Sequence, residues 1–391
     1  VPQEHLGPVR MRTRSAFDLI EEHHRLVSLN SEKSLSPADI LKGIIERKST
    51  FSKEDVELLL EKHVPDDQVS NVREGFWKQE SIISLKRGED QMDTGLYTTQ
   101  EVIDEEHQIL RLCEKVTDYH HRVLPSKLID KHALHLTDEQ KIAFTKGASS
   151  TGLFCIAGYA GTGKSHLLMA LKKGYGSQGY RVRAFGPDHA TASVLQEKGF
   201  RDAENIYRFL FCEMHGYRKV KRGKEVWVLD ESGKMGNQAL VEFLKLANKY
   251  HAKVVLAGDP SQLPPIGRGG MFKILCDRFD SSVLEQVQRQ DSDMEKLATQ
   301  ELAKGEVESA INRLNQSGAF HWANNKIAAM EDLVIKWSKD YTKNPSSSSL
   351  MIATTNREVS HLNAMVREVR KARGEISRQE YQVTTVHGPS V

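Results

Sequence analysis

The chain has 391 residues, of which 39% are hydrophobic and 28% are charged. This composition is typical of a globular protein of two or three domains, and it excludes extensive disorder. No apolar run approaches the roughly 18 residues that cross a bilayer, so no membrane insertion is expected. The four cysteines lie far apart, which fits neither a disulfide framework nor a zinc site and indicates a cytoplasmic protein.

The amino-terminal third is predicted to be mainly helical. Residues 1–35 are polar, and we interpret them as a linker or tail; because the chain begins with Val1, we expect it to be a piece of a longer protein. Residues 36–130 contain helical patterns after Ser-Pro at 36 and after Ser52, a β-ribbon over 81–99 and a helix capped by Thr99. This order predicts a small module of the winged-helix type. A helical spacer explains the pattern equally well.

From residue 131 the pattern alternates between strands and helices. Short apolar runs separated by helical segments predict a parallel sheet covered by helices on both faces. The runs are "GLFCIAG", "YRVRAFG", "EVWVLDE" and "AKVVLAGD". We assign residues 131–290 to this α/β domain. "SLMIATTN" at 349–356 predicts the first buried strand of a second, partial α/β domain over 291–391.

The stretch "GYAGTGKS", residues 158–165, has the spacing G-x-x-x-x-G-K-[ST] between a predicted strand and a predicted helix. Glycines at these positions let successive backbone N–H groups face phosphate oxygens, and the helix amino terminus adds partial positive charge. A Gly-rich turn that arose by chance would explain neither the predicted strand before it nor the predicted helix after it. The expected nucleotide contacts are Gly158, Ala160, Gly161, Thr162, Gly163, Lys164, Ser165 and His166. Ser165 is also the expected Mg²⁺ ligand.

Two further strand ends carry polar side chains that complete a site for nucleotide hydrolysis. Asp230 and Glu231 follow the apolar run "VWVL", so Asp230 is expected at Mg²⁺ and Glu231 as the general base for the attacking water. A solvated strand end is the simpler alternative for such a pair. Gln262, in "LAGDPSQLPP", follows the next strand and is expected to hydrogen-bond the γ-phosphate. These three residues and Lys164 are the predicted catalytic group.

The segment "GDPSQLPP" resembles motif III of RecD-type superfamily 1 helicases. The resemblance implies that Gln140, in "LTDEQKIAF", contacts adenine, and that Arg289, in "LEQVQRQ", contacts the γ-phosphate as a further catalytic residue. It also implies a single-stranded DNA contact by Pro187 and His189, in "FGPDHATA". Asp188 stands there where these helicases usually have Thr or Ser, which departs from the pattern.

Within that superfamily the chain resembles the helicase region of TraA-type conjugative relaxases, through "HLGP" at 5–8, "GLYTT" at 95–99 and "TTNREVSHLNAMVRE" at 354–368. The resemblance implies a RecA-like motor domain that binds ATP and Mg²⁺ and moves along single-stranded DNA, with a conjugative transfer apparatus as a possible partner. The DNA backbone contacts it implies in the second domain are Thr354, Thr355 and Asn356.

The resemblance also predicts that the chain is truncated. Residues 1–35 would follow a nicking domain absent from this chain, and residues 291–391 would form only part of a second RecA-like lobe. The later helicase motifs of such proteins do not occur here, so we expect ATP binding with weak hydrolysis and an incomplete motor. The oligomeric state is not predicted.

A basic stretch, "YRKVKRGK" at 217–224, is the candidate DNA-binding loop. A net charge of only +2 cannot itself indicate a nucleic-acid partner, so the inference depends on this local patch. Lys219, Lys221 and Arg222 are the candidate phosphate contacts. The candidate stacking residues are Tyr207, Phe209, Phe211 and Tyr217. A merely solvated loop remains an alternative.

Three other functions stay open at this point. One is a RecD-like repair helicase subunit, which shares the motor motifs. Another is a nucleotide-dependent DNA-binding module without turnover. The third is an inactive product of a decayed gene. An upstream nicking domain in the same gene would exclude the first, and ATPase assays with and without single-stranded DNA separate a motor from the second.

Overall fold

The computed structural model describes residues 35–391 except 88–91, 150, 160, 218–219, 221, 266, 287–292, 345–348, 378, 380–382, 386–387 and 391. By Cα proximity the described chain divides into two units, Ser34–Arg313 and a second that contains Leu314–Val391. The predicted domain boundaries at residues 130 and 290 lie inside the first unit and stay predictions.

The amino-terminal part of the first unit has the predicted order of helices, ribbon and helix. Its elements are α1 (Pro37–Ile45), α2 (Lys53–His63), α3 (Val69–Trp77), β1 (Ile82–Arg87), β2 (Met92–Thr99) and α4 (Gln100–Thr117). Ser36 and Ser52 form capping boxes with Asp39 and Asp55, and the Thr99 hydroxyl accepts from the N–H of Val102. The predicted helix starts at Ser52 and Thr99 are therefore confirmed.

A hydrophobic core holds these helices against the antiparallel β1–β2 ribbon. Phe51 and Phe76 are fully buried and meet edge to face, and Phe51 also stacks on Tyr97 of β2. The backbone of Phe51 exchanges two hydrogen bonds with that of Tyr97, so the chain before α2 pairs with the ribbon. Val56 and Leu60 of α2 complete the core.

The rest of the first unit is built on a parallel six-stranded sheet with the order β5-β4-β6-β7-β3-β8. The strands are β3 (Leu153–Gly158), β4 (Arg181–Gly186), β5 (Glu204–Asn205), β6 (Glu225–Leu229), β7 (Lys253–Gly258) and β8 (Ser281–Leu284). The four predicted strands are confirmed as β3, β4, β6 and β7. Since β7 lies between β3 and β6, the loops that follow these three strands are neighbours at one edge of the sheet.

Helices cover both faces of this sheet, as predicted. They are α5 (Ser126–Ala133), α6 (Asp138–Gly147), α7 (Lys164–Ser177), α8 (His189–Glu197), α9 (Ile206–Met214), α10 (Asn237–Tyr250) and α11 (Met271–Arg278). Two further helices, α12 (Asp293–Lys304) and α13 (Val307–Gln316), follow in the chain. Alternate residues of each strand enter different cores: Trp227 packs with α9 and α10, whereas Val226 and Val228 pack with α7. The apolar runs of the sequence are thus strands buried on both sides.

The second unit contains α14 (Lys326–Lys343), α15 (Asn356–Ala372) and a short antiparallel ribbon of β9 (Val383–Thr385) and β10 (Gly388–Ser390). The predicted buried strand at 349–356 is wrong. No strand occurs at 349–355, where Leu350 is 84% exposed and Ile352 is 81% exposed. A short apolar run is only ambiguous evidence for a strand, and here Thr355 serves instead as the N-cap of α15.

None of the helices in the described part of the chain is long and apolar enough to cross a bilayer.

Candidate nucleotide-binding site

The loop between β3 and α7 has the backbone that a phosphate cradle requires. Gly161 and Gly163 have φ angles of +84° and +80°, in the left-handed region that side chains disfavour. A Cβ on Gly163 would lie 2.4 Å from the Gln140 side chain. The loop turns directly into the amino terminus of α7, where the helix dipole favours an anion.

Lys164 and Ser165, the first residues of α7, face the same cleft. The Lys164 ammonium donates to the backbone oxygens of Gly158 and Tyr159, at 2.5 and 3.1 Å, which holds its charge over the loop. The Ser165 hydroxyl accepts from the ammonium of Lys198, at 2.8 Å. His166 lines the cleft as well, whereas Ala160 lies outside the described residues.

Gln140 lies beneath the phosphate loop. Its side chain is buried, donates to the carbonyl oxygen of Thr162 at 2.9 Å and accepts from the N–H of Thr137 at 3.1 Å. The Thr162 hydroxyl in turn donates to the carbonyl of Tyr159 at 2.9 Å. Gln140 therefore braces the loop in this structure, and its contact with adenine stays a prediction.

Asp230 and Glu231 lie at the carboxyl end of β6, beside the phosphate loop. Burial and the neighbouring Glu231 carboxylate raise the pKa of Asp230, while the ammonium groups of Lys164 and Lys198 lower it. Glu231 has a φ of +54°, an unusual value for a residue other than glycine, and its N–H donates to Asp230 Oδ1 at 3.0 Å. This backbone directs the two carboxylates differently: Asp230 is buried, and Glu231 is half-buried.

Gln262 completes the cleft from the loop after β7. Its N–H donates to the Asp259 carbonyl at 3.3 Å, and Asp259 Oδ1 accepts from the N–H of Ser261 at 2.9 Å, so the buried Asp259 shapes this turn. One cleft of about 580 Å³ is lined by Gly161, Thr162, Gly163, Lys164, Ser165, His166, Asp230, Glu231 and Gln262. The structure thus brings together three strand ends that are spread over some hundred residues of the chain.

Two charged residues that sequence reasoning missed contribute to the site. Lys198 lines the cleft from just beyond the carboxyl end of α8, where no motif marks it. Glu139 of α6 accepts from the N–H groups of Glu285 and Gln286, at 2.9 and 3.2 Å, and so anchors the chain after β8. Arg289, the predicted γ-phosphate contact on that segment, lies outside the described residues.

The predicted DNA contacts at Pro187 and His189 lie at the same edge of the sheet, directly after β4. Asp188, the departure from the helicase pattern, is the N-cap of α8 and accepts from the N–H of Thr191 at 2.7 Å. His189 is exposed. The Pro187 carbonyl accepts from Asn205 Nδ2 at 3.3 Å, which ties this turn to the start of α9.

Arg222 of the basic stretch lies at the opposite edge of the sheet. Arg222 precedes β6, and its guanidinium lies 2.6 Å from His251 Nε2, just before β7 begins. Since the strands are parallel, this is the edge away from Pro187 and the cleft. The structure therefore does not bring Arg222 together with the other predicted DNA contacts, and Lys219 and Lys221 lie outside the described residues.

The aromatic candidates around α9 divide into core and surface. Phe209 is fully buried against Phe185 and Trp227, so its prediction as a stacking residue is wrong. It faces the sheet because α9 must cover that face. Tyr207, Phe211 and Tyr217 are 51%, 57% and 72% exposed; the first two lie on α9 and Tyr217 follows its carboxyl end.

In the second unit, Thr354, Thr355 and Asn356 form the start of α15. The N–H groups of both threonines donate to the Glu358 carboxylate, at 3.0 and 2.9 Å, and the Thr355 hydroxyl accepts from the N–H of Glu358. This capping box occupies the groups predicted to hold DNA. Asn356 is exposed, and a DNA contact at this turn stays a prediction.

Comparison with known proteins concerns the chain as a whole. Residues 135–325 match the family model described as "AAA domain". The chain is 29% identical over 371 residues to the conjugal transfer protein TraA of Agrobacterium fabrum, which covers 92% of this chain. The resemblance to TraA-type proteins is confirmed. The chain spans only 34% of that relative's length.

Two other similarities are more distant. The ATP-dependent RecD2 DNA helicase of Deinococcus radiodurans is 27% identical over 206 residues, which cover 52% of this chain and 27% of the relative. The crystal structure of Pif1 from Bacteroides sp. aligns over 64% of this chain and 59% of the Pif1 chain, with 15% sequence identity and a TM-score of 0.38. The α/β fold, with a phosphate loop between β3 and α7, is the one that the motifs predicted.

Proposed function

We propose that this chain is the ATP-binding part of a DNA motor of the TraA type, which hydrolyses ATP and binds single-stranded DNA. The observation that carries the proposal is the single cleft in which the phosphate loop, Asp230, Glu231 and Gln262 meet. A Gly-rich loop alone would support nucleotide binding. The two carboxylates and the glutamine beside it support hydrolysis.

The phosphate loop and Lys164 bind the triphosphate. Backbone N–H groups after Gly161 and the amino terminus of α7 receive the phosphate oxygens, and Lys164 supplies a full positive charge on a side chain already directed at the loop. On ATP binding its ammonium exchanges the carbonyls of Gly158 and Tyr159 for phosphate oxygens. These groups would stabilise the charge that develops during phosphoryl transfer.

The residues present fit a Mg²⁺ ion. Ser165 and Asp230 bring hydroxyl and carboxylate oxygens, the donors that Mg²⁺ prefers, to one wall of the cleft. Asp230 is buried, and that burial together with the neighbouring Glu231 carboxylate raises its pKa. Bound Mg²⁺ supplies charge neutralisation of the phosphates. Lys198, which now holds the Ser165 hydroxyl, has to release it for that ligation.

Glu231 and Gln262 act on the attacking water. The left-handed backbone of Glu231 turns its carboxylate away from Asp230, where it can accept a proton from a water in line with the γ-phosphate. Gln262 hydrogen-bonds the terminal phosphate and water from the opposite wall. The Lys234 ammonium lies 3.4 Å from the Glu231 carboxylate.

DNA binding is proposed along the same edge of the sheet. Pro187 and His189 begin a surface that continues through Asn205 to the exposed Tyr207, and aromatic side chains of this kind stack on bases without sequence preference. Thr354, Thr355 and Asn356 are the proposed contacts of the second unit. Movement along the strand and a role in conjugative transfer are proposed for the longer protein that the relatives represent.

Nucleotide titration with a fluorescent ATP analogue and Mg²⁺ tests the site. We expect Lys164→Ala to weaken binding by about a hundredfold or more, because a charge-assisted phosphate contact is lost in a partly enclosed site. Lys141→Ala is the matched control, since Lys141 is exposed and pairs only with Asp138 among the contacts described for it. Equal affinity of Lys164→Ala and wild type would refute the proposal.

Steady-state ATPase assays separate a motor from a binding module. A motor should hydrolyse ATP faster when single-stranded DNA is added, because closing the site is coupled to the strand. A module without turnover should bind both ligands and show no stimulation. The two results lead to different functions for the same cleft.

A further inference from the structure

The loop after β7, described over 259–265 and 267–270, connects the nucleotide cleft to the amino-terminal helices. Gln262 lines the cleft near the start of this loop, and Arg268 lies near its end. Arg268 is only 7% exposed, although arginine side chains are rarely buried unless paired. A buried guanidinium persists only where partners compensate its charge, so the partners of Arg268 indicate its role.

The guanidinium of Arg268 binds three groups of the amino-terminal helices. Its Nε and Nη2 atoms donate to the two carboxylate oxygens of Glu105, at 2.8 and 3.0 Å, in the bidentate geometry that arginine favours. Nη1 donates to the carbonyl oxygen of Ile45 at 2.9 Å, and Nη2 also donates to Glu101 at 3.3 Å. This one side chain therefore joins the loop to both α1 and α4.

The backbone of Arg268 is held from two sides as well. Its N–H donates to the carbonyl oxygen of Glu46, directly after α1, at 2.9 Å. Its own carbonyl oxygen accepts from the N–H of Asn237, at the start of α10, at 2.8 Å. Gly236 and Gly269 form an antiparallel bridge beside these bonds. The chain that follows β6 is thus fastened to the loop at the residue that the amino-terminal helices hold.

The loop has little freedom between Arg268 and Gln262. Pro264 and Pro265 fix the backbone φ angle at two of the intervening positions. A Cβ on Gly269 would lie 2.3 Å from Cγ of Pro265, so the loop folds back closely on itself. A displacement of Arg268 is therefore expected to displace Gln262.

We propose that Arg268 is a positioning residue for ATP hydrolysis, which keeps Gln262 directed at the terminal phosphate by tying its loop to the amino-terminal helices. The inference rests on the ATPase function proposed above. It gives α1 and α4 a part in catalysis, although none of their described residues lines the nucleotide cleft. Nucleotide binding depends mainly on the phosphate loop, so loss of Arg268 should slow turnover rather than weaken ATP binding.

Steady-state ATPase assays and titration with the fluorescent ATP analogue separate these two effects. Arg268→Met removes the charge and the hydrogen bonds of the guanidinium, and it should lower kcat by about tenfold to a hundredfold, the size expected when a reacting group is slightly misplaced. The affinity for the analogue should change little. Arg268→Lys restores a positive charge beside Glu105 and should recover part of the rate. A wild-type kcat in Arg268→Met would overturn the proposal.

Glu105→Gln tests whether the ion pair carries the effect. Gln keeps the shape of the Glu105 side chain and removes its charge, so this variant should lower kcat in the same direction as Arg268→Met. In the double variant kcat should fall no further than in Arg268→Met alone, because two residues that act through one contact are not additive. Multiplied effects would show that Arg268 acts independently of Glu105, which contradicts the proposal.

Two control variants remove ion pairs without touching the loop. Arg278→Met breaks the pair of Arg278 with Glu114, at 3.1 Å, which joins α11 to the same helix α4. Arg183→Met removes a similarly buried pair within the sheet, in which the Arg183 Nε lies 2.8 Å from Glu225. Both should keep the wild-type kcat even where thermal stability falls. Controls slowed as much as Arg268→Met would assign Arg268 a purely structural role.

Amide hydrogen exchange measures the loop without relying on turnover. The N–H groups of Ser261 and Gln262 bond to Asp259, at 2.9 and 3.3 Å, so their exchange reports the order of the turn beside the cleft. Both should lose protection in Arg268→Met and keep it in Arg278→Met. If the wild-type chain hydrolyses no ATP, the proposed function fails, whereas unchanged exchange in Arg268→Met would overturn the anchoring of the loop itself.

Discussion

Two turns of this chain, one in each unit, carry predicted functional residues after a short apolar run. The two turns differ in structure. The turn after β6 carries Asp230 and Glu231 and follows five residues that are all buried. The turn before α15 carries Thr354 and Thr355 and follows a segment in which Leu350 and Ile352 are almost fully exposed. Both were predicted to follow buried strands.

The difference shows what fixes the position of a functional motif in the fold. In the first unit each motif follows a strand that neighbouring strands hold in register, so its polar side chains meet at one edge. In the second unit no strand precedes the motif among the described residues, and its polar groups cap a helix instead. Placement of a functional side chain depends on the buried element before it. Four substitutions test this contrast.

The largest expected effect is on catalysis at the first turn. Glu231→Gln should lower the ATPase rate by about a hundredfold to ten-thousandfold, because the general base is lost while the shape of the cleft is kept. ATP affinity should change little. Glu242→Gln, on the exposed side of α10, is the control and should behave as wild type. A rate unchanged in Glu231→Gln would assign the proton transfer to another group.

The free energy of unfolding lost on truncating a buried side chain should also differ between the two units. Phe185 is fully buried and contacts Phe209, Trp227 and Phe243, so Phe185→Ala should lower the free energy of unfolding by about 3–5 kcal/mol. Val334→Ala, at one of the few buried positions of α14, should cost clearly less. Denaturant titrations of the two variants measure this, and equal losses would contradict the contrast between the units.

The buried Asp230 carboxylate in the cleft should lower the stability of the folded protein at neutral pH. Because the pKa of Asp230 is raised in the folded protein, the native state holds this proton more tightly than the unfolded chain does. Its contribution to stability is present at low pH and is lost as pH rises above the usual carboxyl range. Asp230→Asn should therefore raise the melting temperature by a few degrees at neutral pH while abolishing ATPase activity.

Melting curves measured from about pH 4 to pH 8 provide the test of that sign. The advantage of Asp230→Asn over wild type should shrink toward the acid end, where both side chains are uncharged. An advantage that grows toward the acid end would show that Asp230 is stabilised in its ionised form.

The smallest effect is expected at the second turn. Thr355→Ala removes the side-chain half of the capping box of α15 and should cost about 0.5–2 kcal/mol in the stability of that helix. Thr355→Ser keeps the cap and should be close to wild type. If Thr355→Ala weakens DNA binding while Thr355→Ser does not, the Thr355 hydroxyl contributes both to the cap of α15 and to DNA binding. Hydrogen exchange of α15 measures its contribution to the cap.

The sequence by itself determined the chemistry of the nucleotide site. Spacing, glycine and apolar runs indicated the phosphate loop, the carboxylates at the end of β6 and the glutamine after β7, because each signal is local to one strand and its following turn. Helix starts at Ser52 and Thr99 were equally readable, since a cap involves only three or four residues.

Only the tertiary structure decided which of these local signals meet. It placed Arg222 at the edge away from Pro187, buried Phe209 while leaving Tyr207 exposed, and brought Lys198 to Ser165 without any motif. It also buried the Asn237 amide without a hydrogen-bond partner among the described residues. Such outcomes depend on strand order and on which face of a helix packs, and these are properties of long-range contacts that neither spacing nor composition encodes.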